Sequence, residues 1–175
     1  MRTSKEKPVV VGKRRSGLDI QNIRPFYSTF PIKDIKQFYP FCPQIQEELE
    51  LIREHERGLK KECYGITVRN SIVLKGESQV GGGWHVDGMI ASTPLPRRIY
   101  TFTTDNQTQF LLKEVDIKLV FWNELDEDKD WYFVEEGDEI WTPQANDIVL
   151  SNNHIHRSPV VSTNVRRVFV RLTVF

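Results

Sequence analysis

Hydrophobic residues change their spacing at Cys63. Before it, Ile45, Leu49, Ile52 and Leu59 recur near i, i+4, i+7 and i+14 among Glu, Arg and Lys, which predicts one amphipathic helix over 43–62. Pro43 suits its first turn, and Lys60 and Lys61 suit its negative C-terminal end. His55 lies among Glu54, Glu56 and Arg57, on the charged side, which places it in solvent. After Cys63 the period becomes two: Tyr64, Ile66 and Val68 alternate with Gly65, Thr67 and Arg69, then Ile72 and Leu74 with Val73 and Lys75, the signature of strands. Further short β segments follow around 84–88, 98–104, 109–112, 116–122, 131–134, 147–151 and 165–174, separated by Gly, Pro, Asn and Asp. The acidic stretch 124–130 reads as a turn between two of them. A front helix followed by about eight strands predicts a mainly β chain, a jelly roll or barrel-like sandwich.

Length and composition bound this picture. At 175 residues with 39% apolar content, the chain suits one domain, 18–175, with a single core. Residues 1–17 carry Lys5, Lys7, Lys13, Arg14 and Arg15 with few large apolar groups, and are expected as a flexible or loosely docked basic arm. The 24 basic and 24 acidic residues balance, so nucleic acid is not a favoured partner. Cys42 and Cys63 lack metal-type spacing and point to packing in a reduced compartment. No stretch approaches ~20 apolar residues, and the expectation is a soluble, cytoplasmic protein without a membrane partner.

Three of the four histidines fall in two short segments, Gly81-Gly82-Gly83-Trp84-His85-Val86-Asp87-Gly88 and Asn153-His154-Ile155-His156-Arg157-Ser158-Pro159. On a strand, positions i and i+2 share a face, so His85 and Asp87 can present an imidazole and a carboxylate to one point. A histidine from a distant strand, His154 or His156, completes a two-His-one-carboxylate face with open coordination positions. That set suits non-haem Fe(II). Open zinc sites commonly use three histidines, two histidines with Glu, or cysteine-containing sets.

These residues resemble the Fe(II)/2-oxoglutarate-dependent dioxygenase superfamily. That family is a double-stranded β-helix with an HxD pair, a distal His, and a basic residue after it that binds the 2-oxoglutarate carboxylate. The likeness covers roughly 64–175: His85 and Asp87, the strand Asp147-Ile148-Val149-Leu150, His156-Arg157-Ser158-Pro159, and the closing strand 166–173. Strand parity does not separate His154 from His156. His156 is preferred because it precedes Arg-Ser-Pro and stands ten and eleven residues before Arg166 and Arg167. The resemblance therefore implies His85, Asp87 and His156 as catalytic metal ligands. It also implies Arg167 as the co-substrate's cation, with Arg171 and Arg166 behind it, and a hydroxyl from Tyr100 or Thr101 on the same carboxylate.

Arg167, Phe169, Arg171 and Thr173 share one face of the last strand, opposite Arg166, Val168, Val170 and Leu172. A buried arginine needs an anionic partner, and its planar fork matches a carboxylate. By hydrophobicity alone, however, the valine-leucine face is the inward one. Trp84, Trp122, Trp131 and Trp141 are expected as core or pocket wall, and 81–83 as a mobile lip or a bulge. The activity implied by the resemblance is hydroxylation, or oxidative demethylation, of a small molecule or protein side chain with O2. Asp87 argues against halogenation, because halogenating relatives lack that carboxylate. Two other readings are a cupin-like metal enzyme without 2-oxoglutarate and a non-catalytic jelly-roll binding protein.

Overall fold

The computed structural model describes residues 1–14, 20–28, 32–59, 63–79, 82–87, 96, 98–120 and 129–175. Lys60, Lys61, Gly81, Gly88, Arg15, Trp122 and most of the acidic turn, 124–128, lie outside them. The described chain is mainly β. Its strands are β1 (Val9–Lys13), β2 (Phe26–Tyr27), β3 (Tyr64–Val73), β4 (Arg98–Thr103), β5 (Gln109–Leu112), β6 (Glu139–Trp141), β7 (Asp147–Ser151), β8 (Ile155–Arg157) and β9 (Val165–Val174), with one α-helix, α1 (Gln46–His55).

Two antiparallel sheets result. The larger runs β1-β7-β4-β9-β3-β2 and the smaller β6-β5-β8. The His85 segment extends the smaller sheet beyond β8 through an antiparallel bridge to His156. Counting β3 as first and the His85 segment as second, pairing is nested: first with eighth (β3, β9), second with seventh, third with sixth (β4, β7), fourth with fifth (β5, β6).

Alternation on the large sheet explains the layers. Ile66, Val68, Tyr100, Phe102, Val170 and Leu172 pack with Ile45, Leu49 and Ile52 into the main core beneath α1. The opposite face carries Thr67, Arg69, Arg167, Phe169 and Arg171, and these line a cavity with His85 and His156 of the small sheet. A second cluster, Trp84, Val86, Leu111, Ile155 and Tyr132, covers the small sheet's far side. Both expected faces of β9 are thus used: valines and leucine to the helix layer, arginines to the space between sheets.

Several expectations are corrected. Residues expected as an arm include β1, which pairs with β7, while Thr3 donates its backbone N–H to the Val115 carbonyl and Arg14 is buried beside Glu48 at 3.6 Å. The β-branched run Val9-Val10-Val11 suits the open edge of β7, and Lys13 is 3.7 Å from Asp147, so Arg14 is buried within the fold while Lys13 is paired at its surface. The helix is shorter than expected: a 3-10 turn holds Pro43–Ile45 and α1 ends at His55. Gly58 at φ +82° then turns the chain, a conformation glycine adopts without strain.

His55 is not merely solvated, because its Nδ1 lies 2.9 Å from the Tyr100 hydroxyl. The segments 116–122 and 131–134 carry no strand among their described residues. Their polar groups have other partners: Ile117 N–H donates to Met1 O and Lys118 N–H to the Tyr132 hydroxyl at 3.0 Å. Among the described residues, no helix is long and apolar enough to cross a membrane.

Candidate metal centre

His85 and His156 form a hydrogen-bonded antiparallel pair. His85 N–H donates to His156 O at 3.0 Å and His156 N–H to His85 O at 2.8 Å. Directly opposed residues project to the same face, so the two rings lie with centroids 4.6 Å apart. Asp87, two residues on, returns to that face. One ligand atom from each of His85, Asp87 and His156 falls within 4.8 Å of the others, and this group could hold a metal ion.

Backbone carbonyls fix the imidazole tautomers. His85 Nδ1 lies 2.8 Å from Gly83 O and His156 Nδ1 lies 3.0 Å from His154 O. A carbonyl only accepts, so each Nδ1 carries the hydrogen and each Nε2 keeps its lone pair, as metal-bound histidines require. Burial pushes the His156 pKa down to about 4, which keeps it neutral at pH 7. Burial works to raise the Asp87 carboxyl, but Arg171, then His156 and His85, outweigh it and hold it below the usual carboxylate range. His156 Nε2 and Asp87 Oδ2 therefore face each other at 3.5 Å as two acceptors with no hydrogen between them. A cation resolves that opposition, and the two-imidazole, one-carboxylate donor set fits a divalent transition metal.

Gly83 makes this segment fit. A Cβ there would collide with the Lys129 carbonyl, and the close approach lets Trp84 N–H donate to Asp130 Oδ1 at 2.8 Å and Trp131 N–H to Trp84 O at 3.0 Å. The backbone carrying His85 is thereby clamped from outside the sheet. Trp84 is buried in the far-side cluster and Trp141 packs on Phe110 with centroids 5.7 Å apart, both as expected of core or wall residues.

His154 does not join the group. Its Nε2 lies 2.9 Å from Glu6 O and its Nδ1 accepts from Asn152 N–H at 3.1 Å, so it ties β8 to the N-terminal segment. Shared parity does not carry His154 into the cavity, because it precedes β8, where the chain leaves the ladder.

The arginines separate by face. Arg167 is only 1% exposed and opens onto the same cavity as His85 and His156. Its Nη1 donates to Gln79 Oε1 at 2.6 Å and its Nε is shared between the carbonyls of Asp105 and Asn106 at 3.0 Å each. Its Nη2 has no hydrogen-bond partner among the described residues. Burial lowers its pKa to about 10, so the guanidinium stays charged at neutral pH without a carboxylate hydrogen-bonded to it. Arg171 Nη1 donates to Asp87 Oδ1, which turns Oδ2 toward His156. Arg166 is corrected: it lies on the opposite face, exposed, with Nε 3.2 Å from Asn70 Oδ1.

Tyr100 is corrected too. It pairs with Leu172, whereas Thr101 pairs with Arg171, so alternation turns Tyr100 to the helix layer and Thr101 to the inner face. There the Tyr100 hydroxyl donates to Glu56, and burial together with Glu56 raises its pKa. Glu56, wholly buried, also accepts from Arg98 Nε and Nη2 at 2.7 Å each. Sequence reasoning missed two further groups. Gln79 clamps Arg167 from both ends, its Nε2 donating to the Arg167 carbonyl at 2.7 Å, and Ser158 Oγ is buried in the cavity wall without a partner among the described residues. Ser158 stands two residues after His156, and that same-face spacing was the available signal.

No family model matches the chain, and no curated protein or solved structure is significantly similar to it.

Proposed function

We propose that the chain is a jelly-roll Fe(II)- and 2-oxoglutarate-dependent dioxygenase that hydroxylates or oxidatively demethylates a small molecule or a protein side chain. One observation carries this reading. The His85, Asp87 and His156 group shares a cavity with a buried, charged guanidinium whose Nη2 has no hydrogen-bond partner among the described residues. The nested pairing of eight segments supports the fold, because a jelly roll is a hairpin of strands rolled so that outer strands pair with outer and inner with inner.

His85, Asp87 and His156 would hold Fe(II) through two Nε2 atoms and Oδ2. When bound, the iron supplies the redox chemistry that couples O2 and 2-oxoglutarate to oxidation of a C–H bond. Arg167 would take the distal carboxylate of 2-oxoglutarate through Nη1 and Nη2, with Ser158 Oγ as an added donor. Gln79 and the two carbonyls hold that guanidinium in place beforehand, so little side-chain freedom is lost on binding. Arg171 orients Asp87 and leaves one of its oxygens to the metal.

A cupin-like reading without 2-oxoglutarate leaves the buried Arg167 charge with neutral hydrogen-bond partners alone among the described residues, and it is not favoured. The deciding experiment measures O2 consumption and succinate release by the purified chain with Fe(II) and 2-oxoglutarate, beside reactions lacking one component. Succinate formed only with all components supports the proposal; none above the no-protein control contradicts it.

A further inference from the structure

We infer that the primary substrate carries an oxyanion, a phosphate or a carboxylate, and that Arg69 receives it at the rim of the cavity. The inference rests on the proposed function in two respects, that a divalent metal sits at the His85, Asp87 and His156 group and that Arg167 belongs to the co-substrate.

Register on β3 and β9 sets the geometry. Thr67 opposes Arg171, Arg69 opposes Phe169 and Ser71 opposes Arg167. Arg69 therefore shares the inner face with Arg167 and Arg171 and is the diagonal neighbour of both, about 7–8 Å away at the backbone. Three guanidiniums at such spacing repel one another, and a metal ion adds to the repulsion. Among the described residues no Asp or Glu lines the cavity. Asp87 engages Arg171 from beside it.

Counting charges shows the excess. The metal supplies two positive charges and Arg69, Arg167 and Arg171 of the large sheet three more, even with Arg157 left to its own contacts, against one negative from Asp87 and two from 2-oxoglutarate. Two positive charges stay uncompensated after the co-substrate is in place.

Two donors are available to a third anion. Arg171 Nε is buried and has no hydrogen-bond partner among the described residues. Arg69 is an exposed wall residue with no hydrogen bond or ion pair among the described residues. It also stands on a strand paired on both sides, by β9 and β2, where a threonine or valine would fill the position without repulsion. Arg157 also lines the cavity, but its guanidinium is already engaged: its Nε donates to Gln109 Oε1 at 2.9 Å and the group lies over the Trp84 ring, 4.5 Å from the centroid. An anion entering from solvent thus meets Arg69 first and Arg171 Nε further in, beside the metal group.

The test uses the full chain loaded with Co(II), saturated with 2-oxoglutarate and free of oxygen, with inorganic phosphate as probe. Saturable broadening of the phosphate ³¹P signal by the paramagnetic metal is expected. Arg69→Gln should raise its midpoint at least about tenfold, the loss of one charge-assisted contact, while Arg166→Gln, on the opposite face, should leave it within about twofold. Acetate in competition tells the two sources apart: displacement assigns the site to oxyanions generally, and no displacement assigns it to a phosphoryl group. Absence of saturable broadening in the unmodified protein, or an unchanged midpoint in Arg69→Gln, overturns the inference. If Co(II) is not taken up, the metal reading fails. The inference is then judged by calorimetric titration of the metal-free chain with phosphate, where the same Arg69→Gln loss is expected and its absence overturns it.

Discussion

Replacing Arg167 separates co-substrate binding from metal binding. Its five N–H groups divide clearly: Nε is spent on two carbonyls, one hydrogen of Nη1 on Gln79, and both hydrogens of Nη2 have no partner among the described residues. A carboxylate can thus take two parallel bonds, from Nη1 and Nη2. Arg167→Lys keeps the charge and loses the fork, removing one charge-assisted bond worth about 1.5–3 kcal/mol, so 2-oxoglutarate affinity should fall about 10- to 150-fold. Arg167→Gln removes the charge as well. Truncating one side of a buried charge pair costs about 2–5 kcal/mol, or about 30- to 5,000-fold. Neither variant touches a metal ligand, so Fe(II) affinity should stay within about twofold. The assay is an anaerobic titration of the Fe(II) form with 2-oxoglutarate, followed through the visible charge-transfer absorption, beside a separate metal titration. Wild-type affinity for 2-oxoglutarate in both variants, or parallel loss of metal and co-substrate, would refute the assignment of Arg167.

Other predictions concern the helix side of the large sheet and its inner face. Glu56→Gln weakens the Arg98 fork and the Tyr100 bond. Unfolding in urea at pH 7 should show a loss of about 2 kcal/mol, below the roughly 3–5 kcal/mol of a fully buried pair because Arg98 keeps contact with water. Although burial raises the Glu56 carboxyl, its bonds to Arg98 and Tyr100 outweigh that and hold it below its ordinary value of 4.5. Its contribution is therefore complete above that value and lost as pH falls through the lower folded one; the gap between Glu56→Gln and wild type should close in acid, and a gap that widens there contradicts the sign. Tyr100→Phe should cost about 1 kcal/mol of stability and leave 2-oxoglutarate affinity unchanged, while Thr101→Val, on the inner face, tests whether that hydroxyl contributes to co-substrate binding. A tenfold loss of co-substrate affinity in Tyr100→Phe would show that the phenol reaches the cavity.

Periodicity made much of the fold legible. The bounds of β5, β7 and β9 match their expected ranges, and the change of period at Cys63 marks where β3 begins. The front helix was legible in kind, but its last turn was not, because Gly58 breaks the helix before the hydrophobic pattern ends. Short strands such as β6, with three residues, and β2, with two, carry too little pattern to read, and β1 is visible only through what it pairs with. For the site, i, i+2 spacing brought His85 and Asp87 together and the distance to Arg167 favoured His156. Parity did not separate His154 from His156; their difference lies in where β8 begins. Arg166 and Tyr100 fell away because β9 and β4 face a helix layer on one side and a cavity on the other, and a single strand does not announce which side is which. Gln79 was invisible for the same reason: it clamps Arg167 from 88 residues away.

Anaerobic Fe(II) titration of His154→Ala and His156→Ala beside the wild type tests the metal centre most directly. The account predicts one Fe(II) per chain in the wild type, with a visible charge-transfer band on adding 2-oxoglutarate. His154→Ala should keep both, and His156→Ala should lose both. Absence of stoichiometric Fe(II) binding in the wild type, or equal behaviour of the two variants, would contradict it.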